Sequence, residues 1–170
     1  MAKGMEAIYT RVISSPIASI TFNNIPQTNT DLKILASIRC DFSAIRLAGA
    51  IRFNSDANSV YSDTILSGDG SGASSGRSQT SFSYTLETTG TSATANTFGN
   101  NEVYIPNYTS TLFKQFTSDC SSEHNGTNQN NVFYAGLYRA NSPITSVTLF
   151  PGGGANFVAN STFTLYGISR

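Results

Sequence analysis

The sequence has little charge. Only 12% of its 170 residues are Asp, Glu, Lys or Arg, and the ten basic and ten acidic residues cancel to a formal net charge of zero. No cluster of Lys or Arg occurs along the chain, although binding to a phosphate backbone requires a concentrated cationic face. We therefore expect no nucleic-acid partner.

Long apolar runs are missing too. No stretch approaches the roughly 18 apolar residues of a membrane span, and residues 1–6 lack the apolar core of a secretion signal. We expect no membrane partner, and we expect the protein to be synthesised in a cytoplasm.

Cys40 and Cys120 lie 80 positions apart, which fits neither a zinc site nor a redox CxxC motif. In a reducing compartment, two buried or idle thiols are favoured over a disulfide.

Catalytic side chains are scarce as well. His124 is the only histidine, and no GxSxG nucleophile motif accompanies it, so a solvated loop histidine is favoured over a metal or proton-transfer site. Glu87 and Glu102 are the strand-associated carboxylates that could form a glycosidase pair, but solvent-facing strand charges are the favoured interpretation. We expect no enzyme activity, no cofactor and no metal.

What the sequence does contain is hydroxyl and amide groups. There are 24 Ser, 20 Thr and 16 Asn, residue types that bond to the local backbone and disfavour helix interiors. Apolar and polar residues alternate with a period of two at residues 32–42, 47–53 and 82–86, which predicts strands with one core face. In the last of these, Phe82, Tyr84 and Leu86 are predicted to share that face.

Further strands are predicted at residues 7–13, 17–23, 103–105, 112–118, 132–138, 145–150 and 161–168, which are rich in β-branched and aromatic residues. Many short strands separated by Gly, Pro, Asn and Ser clusters predict an all-β fold, an antiparallel β-sandwich of jelly-roll type. The polar residues 68–77 are predicted as a mobile surface loop, and residues 121–131 as a second long loop. The length fits a single domain at residues 7–170 that follows an N-terminal arm at residues 1–6.

Aromatic residues are the remaining candidates for ligand binding. The chain has eight Tyr and eleven Phe but no Trp. An exposed platform that stacks on sugars could be built from Tyr104, Tyr108, Tyr134 and Tyr138. Burial in the core or in a subunit interface is the favoured interpretation, and Tyr104 and Tyr108 are candidate interface residues.

Several blocks of sequence resemble the small virion structural proteins of tailed bacteriophages. The blocks are residues 15–28 (SPIASITFNNIPQT), 30–34 (TDLKI), 51–56 (IRFNSD), 61–62 (YS), 95–100 (ANTFGN), 103–108 (VYIPNY) and 161–168 (STFTLYGI). The last block is the most specific, and none carries a catalytic residue. The resemblance implies a non-enzymatic role in a virion that is assembled in the cytoplasm of a host bacterium.

Two roles are compatible with this resemblance. The favoured one is a capsid decoration, or cement, protein that binds and stabilises the shell of the major capsid protein. The alternative is a tail-associated host-recognition domain that binds carbohydrate.

The N-terminal arm supplies the other candidate interface residues, which are Met1, Ala2, Lys3, Gly4 and Met5. The arm is short and polar, with Met5 as its apolar anchor, so we expect it to be disordered in an isolated subunit and to order on a neighbouring one. The expected partners are the major capsid protein and copies of this chain. A homotrimer would match the local three-fold positions of an icosahedral shell.

Overall fold

The computed structural model describes residues 4–126 and 130–169. Within them lie twelve strands and no helix, hence no helix that could span a membrane. The strands are Met5–Val12 (β1), Ile20–Phe22 (β2), Asp31–Ile38 (β3), Arg46–Phe53 (β4), Tyr61–Gly68 (β5), Ala73–Thr80 (β6), Ser83–Thr89 (β7), Gly99–Ile105 (β8), Lys114–Ser122 (β9), Asn130–Tyr138 (β10), Val147–Pro151 (β11) and Thr162–Ile168 (β12).

The strands form two sheets that pack face to face. The large sheet has the order β1-β12-β3-β8-β9-β10-β5-β6, and the small sheet has the order β2-β11-β4-β7. All pairings within the two sheets are antiparallel. The predicted all-β antiparallel sandwich is therefore confirmed, and the chain crosses repeatedly between the sheets, as in jelly-roll-like folds.

Alternating side chains of both sheets fill the core. On β3, Leu32 and Ile34 are fully buried, as the alternation predicts. The strand ends at Ile38 rather than continuing to Phe42. Phe42, which was predicted on the core face, is instead exposed, because it lies beyond the last residue that pairs with the neighbouring strands.

An aromatic cluster occupies one end of the core. The ring of Phe53 lies 5.2 Å from that of Phe116 and 5.3 Å from that of Tyr138, and Tyr61 stacks on Tyr138 at 4.9 Å. Phe116 also covers Gly136, its partner across β9 and β10. A Cβ atom at Gly136 would lie 2.2 Å from Cζ of Phe116, so this position leaves no room for a side chain.

The strand β7 is an edge of the small sheet, yet six of its seven residues are buried. Side chains of the large sheet stand in for a neighbouring strand. The Asn101 side chain accepts a hydrogen bond from the Glu87 N–H at 2.7 Å and donates one to the Glu87 carbonyl at 3.0 Å. These two bonds satisfy backbone groups that would otherwise be buried without partners.

Two more side chains of the large sheet form hydrogen bonds with the backbone of β7. The Asp63 carboxylate accepts a hydrogen bond from the Tyr84 N–H at 2.9 Å, and the Ser118 hydroxyl donates one to the Thr85 carbonyl at 2.6 Å. Three polar side chains from three strands of the large sheet thus fix the position of β7 against it.

Both cysteines are buried and free, and the predicted burial of their thiols is confirmed. Cys120 lies beside this row of side chains, with its Sγ 3.0 Å from Oγ of Ser118. Burial raises the pKa of the Cys120 thiol to about 12, so the thiol stays protonated at neutral pH.

The prediction of a mobile loop at residues 68–77 is wrong. These residues form the turn of a hairpin and most of β6, which pairs with β5 over its whole length. The Asp69 carboxylate closes the turn by accepting the N–H groups of Ser71 and Gly72 at 2.9 and 2.8 Å, and these bonds lower the pKa of Asp69 to about 2. Apolar alternation could not reveal β6, because its sequence, ASSGRSQT, is held by backbone pairing rather than by burial.

The first strand begins earlier than predicted. Met5 and Glu6, which were assigned to the N-terminal arm, pair with Ile168 and Gly167 of β12. The arm boundary at residue 6 is therefore wrong, because the closing strand of the chain offers backbone partners as far as Met5. The remaining arm residues Met1, Ala2 and Lys3 lie outside the described residues.

Phe163→Ala should destabilise the fold strongly. The Phe163 ring is fully buried and meets the Phe157 ring edge-on at 4.9 Å. Its loss leaves a cavity, so we expect chemical denaturation to give an unfolding free energy lower by about 3–5 kcal/mol. The matched control is Phe113→Ala, which trims an exposed ring and should change stability by less than about 0.5 kcal/mol. Equal stability of the two variants would contradict the burial of β12.

Gly136→Ala should also destabilise the protein, here by overpacking. The added methyl group must displace the Phe116 ring, which lies within the aromatic cluster, and such displacements cost about 1–3 kcal/mol. Gly76→Ala is the control, because a Cβ atom at Gly76 meets nothing within 4 Å and a strand glycine gains from a side chain. A thermal melt in which both variants match the parent would show that the Phe116 ring does not cover Gly136.

Candidate functional site

A recess lined by aromatic rings lies on the outer face of the small sheet. Leu149 of β11 points into the core, so the next residue, Phe150, lies on the opposite face. Phe150, Phe82 and Tyr84 surround a hollow of about 280 Å³ that also includes Ala50. We call this recess the aromatic hollow.

A shift of register brings Tyr84 to the aromatic hollow. Gly49 of β4 pairs with Leu86, whereas the next residue, Ala50, pairs with Tyr84, so Thr85 is an extra residue in β7. Such a bulge re-aims the side chains on one side of it. Leu86 is in the core, while Phe82 and Tyr84 line the aromatic hollow, so the prediction that the three residues share the core face is wrong.

Edge-to-face contacts fix the rings. The Phe82 centroid lies 5.3 Å from that of Tyr84 and 5.7 Å from that of Phe150, with interplanar angles of 85° and 82°. The Arg52 guanidinium lies 5.2 Å from the Phe150 centroid, and its Nε donates to the Ser81 carbonyl at 3.2 Å. The geometry suits aromatic and cation–π attraction and places one cation beside the rings.

Bare backbone forms another wall of the aromatic hollow, at residues 152–154. Gly153 and Gly154 have φ values of +60° and +72°, a region that glycine enters at little cost. A Cβ atom at Gly152 would lie 2.7 Å from the Ala48 carbonyl oxygen. The sequence signal for this wall is the glycine run directly after Phe150 and Pro151, which places main chain without side chains beside a ring.

The lining of the aromatic hollow is mainly apolar. Its polar groups are the Tyr84 hydroxyl and the backbone amides, and none of the residues described as lining it is an acid, a histidine or a cysteine. Such a recess can accept an apolar side chain or the face of a sugar ring. It offers no nucleophile and no general base.

The Glu87 side chain is buried, so the prediction of a solvent-facing charge is wrong. Its Oε1 accepts a hydrogen bond from the Tyr134 hydroxyl at 2.9 Å, and its Oε2 lies 3.6 Å from Nη1 of Arg46. Burial raises the pKa of Glu87, and the bond from Tyr134 and the charge of Arg46 offset only part of this effect. The side chain is enclosed because β7 lies against the large sheet.

Glu87 and Glu102 do not form a catalytic pair. Glu102 is on the outer face of the large sheet, where it meets Nζ of Lys33 at 2.7 Å. The residue before it, Asn101, points inward to the backbone of Glu87. The two carboxylates therefore lie on opposite sides of β8, and no substrate bond could lie between them.

His124 is buried, contrary to the predicted solvated histidine. The Glu123 carboxylate accepts the N–H groups of His124 and Asn125 at 2.9 and 2.8 Å, which folds the segment into a tight turn. Across the described ranges, no three His, Cys, Asp or Glu side chains are grouped to hold a metal ion.

The predicted interface tyrosines do not form a surface together. Tyr104 is half-buried and its hydroxyl donates to Oδ2 of Asp31 at 2.7 Å. Tyr108 is fully buried and its hydroxyl donates to the Pro26 carbonyl, so its assignment to an interface is wrong. Burial also removes Tyr134 and Tyr138 from any exposed sugar platform.

Of the predicted arm residues, the structure describes Gly4 and Met5. Gly4 is exposed, and its carbonyl accepts the N–H of Ser169 at 3.1 Å. The Met5 side chain is exposed at the start of β1. Both lie at the outer edge of the large sheet, far along the sheet order from β6.

Neither a protein-family model nor a curated protein matches this sequence. Among solved structures, galectin LEC-6 of Caenorhabditis elegans aligns at 11% identity over 95% of this chain and 96% of that chain, with a TM-score of 0.35. The enzymatically active domain of tailspike protein 2 of bacteriophage CBA120 aligns at 7% identity over 100% of this chain and 29% of that chain, with a TM-score of 0.34.

A third similar structure is the CBM40 of the Ruminococcus gnavus IT-sialidase, bound to sialyllactose. It aligns at 11% identity over 85% of this chain and 92% of that chain, with a TM-score of 0.25. At TM-scores this low, the function of this chain has to be argued from its own surface.

Glu87→Gln should remove one source of pH dependence. Because burial raises the native pKa of Glu87 above its ordinary 4.5, the native state binds this proton more tightly than the unfolded state does. The contribution of Glu87 is most favourable below pH 4.5 and falls as the pH rises through the raised native pKa. A neutral Gln lacks this loss and can still accept the Tyr134 hydrogen bond. The stability of the variant relative to the parent should therefore increase from about pH 4.5 upward.

This difference is measured by denaturant unfolding of both proteins at several pH values. Taking the difference cancels the titration of the other carboxylates. A difference that stays constant across this pH range would show that the pKa of Glu87 is not raised in the folded protein.

Proposed function

We propose that this protein is a non-enzymatic structural subunit of a tailed-bacteriophage particle and that it decorates the capsid by binding the shell of the major capsid protein. The resemblance of its sequence blocks to phage virion proteins supports the assignment to a phage particle. The chemistry of its surface supports binding as its mode of action.

The observation that carries the proposal is the aromatic hollow. Its rings are held by one another, its floor includes Ala50 and one wall is main chain, so little side-chain freedom is lost when a ligand enters. Each Å² of apolar surface that a side chain of a shell subunit buries there would make the binding free energy more favourable by about 25 cal/mol. Each contact is modest, but a symmetric shell repeats it at every copy.

A second apolar feature supports attachment to a protein surface. Leu112 and Phe113, in the connection between β8 and β9, are 71% and 56% exposed, although the rest of the surface is rich in hydroxyl and amide groups. Exposed apolar side chains that adjoin one another are typical of protein contacts.

A second candidate function is host recognition by a tail-associated, carbohydrate-binding domain. The specific observation in its favour is that the aromatic hollow combines ring faces with Tyr84, and that the Arg52 guanidinium lies beside its Phe150 ring. Sugars use their apolar face on aromatic rings and their hydroxyls on such polar groups.

Phe150→Ala should release the protein from the capsid. The substitution opens the aromatic hollow without removing a core residue, and we expect retention on purified particles to fall about tenfold or more, which corresponds to the loss of about 1.4 kcal/mol of binding. The measurement is the amount of protein that stays with particles after sedimentation in a salt series. Phe133→Ala trims an exposed ring of the large sheet and is the control, with retention equal to the parent.

The same preparations distinguish the two functions. A copy number comparable to that of the major capsid protein, read from a stained gel, supports decoration. A few copies per particle, together with glycan-array binding that Phe150→Ala abolishes, would replace decoration by host recognition. Full retention of Phe150→Ala on the shell would show that the aromatic hollow does not bind the shell.

A further inference from the structure

The two outer strands of the large sheet are its most exposed elements. In β1 seven of eight residues are exposed, and in β6 six of eight. As edge strands, each directs a row of backbone N–H and C=O groups away from the sheet, and no other strand among residues 4–126 and 130–169 pairs with those rows. By contrast, side chains of the large sheet cover the buried edge β7.

The edge at β6 has none of the usual protection against pairing. Edge strands of monomeric proteins are commonly interrupted by proline or bulges, or carry several charges. β6 is regularly paired with β5 over eight residues, without proline or bulge, and its one charged residue is Arg77. A regularly paired edge of this kind is suited to accept another strand.

The edge at β1 is complementary to it. Both strands have eight residues, and because the eight strands alternate in direction, β1 and β6 run in opposite directions. A second copy placed alongside in the same orientation therefore brings its β1 antiparallel to β6. β1 has one irregularity, between Ala7 and Tyr9, where its register with β12 shifts. With the strand ends aligned, Glu6 of β1 therefore lies within about two residues of Arg77 of β6, whereas a β6 edge facing its own copy would bring two Arg77 side chains together.

Apolar side chains lie beside both edges. Met5 and Val12 on β1 are 52% and 61% exposed, and Leu66 on β5, next to β6, is 60% exposed. Joining the edges would bring these side chains towards a neighbouring copy and remove part of their apolar surface from water. The seam therefore offers hydrophobic burial in addition to backbone hydrogen bonds.

We propose that β1 of one copy pairs antiparallel with β6 of the next, in a head-to-tail seam that joins the large sheets of successive copies into a closed ring. A β1–β1 or β6–β6 dimer would leave two edges open, whereas a ring covers both edges of every copy. The inference concerns the isolated protein and does not depend on the proposed capsid role.

Crosslinking of single-cysteine variants tests the seam directly. Val12→Cys places a thiol on β1 and Ala73→Cys places one on β6, opposite each other when the strands overlap fully. With a short bismaleimide, which tolerates a small shift of register, neither variant alone should crosslink, and an equal mixture should give covalent dimers. The parent is the control, because its own thiols at Cys40 and Cys120 are buried.

The pattern of products is decisive. Crosslinking of Val12→Cys or Ala73→Cys with itself would replace the head-to-tail seam by a two-fold pairing of like edges. A parent that remains monomeric in native mass spectrometry at every concentration, with no product from the mixture, would overturn the proposal.

Gly76→Lys provides an independent test. A side chain at Gly76 meets nothing within 4 Å, so the monomer should fold with an unchanged melting temperature, while the added charge at the centre of β6 should dissociate the ring. Thr117→Lys adds the same charge at an exposed position of β9, in the middle of the large sheet, and should leave the ring intact. A ring that persists in Gly76→Lys, at the mass of the parent ring, would contradict the seam.

Discussion

A buried sheet edge has to find hydrogen-bond partners that are not strands, and the structure depends on how it does so. The edge strand β7 of the small sheet is buried against the large sheet, where unpaired N–H and C=O groups would be costly. Asn101, Asp63 and Ser118 supply the partners. By holding β7 in place they also fix the position of the extra residue Thr85. The bulge at Thr85 in turn directs the Tyr84 side chain towards the aromatic hollow. Polar side chains in the interior thus determine the shape of an apolar surface.

Much of the fold could be predicted from alternation, and the failures have a common cause. Alternation works where one face of a strand is buried, as in β3 and β12. It gives no information on β6, whose side chains are mainly exposed and polar. It misplaced Tyr84 and Glu87, because a bulge and a buried edge break the rule that successive residues alternate between core and solvent. Local sequence does not contain these two features, which arise from the packing of β7 on a sheet formed by distant residues.

The candidate site was harder to predict for the same reason. Sequence reasoning favoured core or interface for the tyrosines, and the structure places Tyr108, Tyr134 and Tyr138 inside. The aromatic hollow instead joins Tyr84 of β7 and Phe150 of β11 with Phe82, which precedes β7. Tyr84 and Phe150 meet there because both pair with Ala50 of β4. A low-charge surface has little long-range electrostatic steering. Binding at the aromatic hollow, as proposed above, would therefore rely on close fit to its rings and to the main chain of residues 152–154.

The buried Cys120 thiol has a consequence for how the molecule can be followed experimentally. Burial raises the pKa of this thiol to about 12, so very little of it is ionised at pH 7, and alkylating reagents attack the thiolate. Labelling must then wait until β7 separates from β9, because the sulfur lies 3.2 Å from the Thr85 carbonyl oxygen; separation exposes the sulfur and restores its ordinary acidity. The rate of alkylation at this native residue thus reports how often the sandwich opens, and the measurement requires no engineered cysteine.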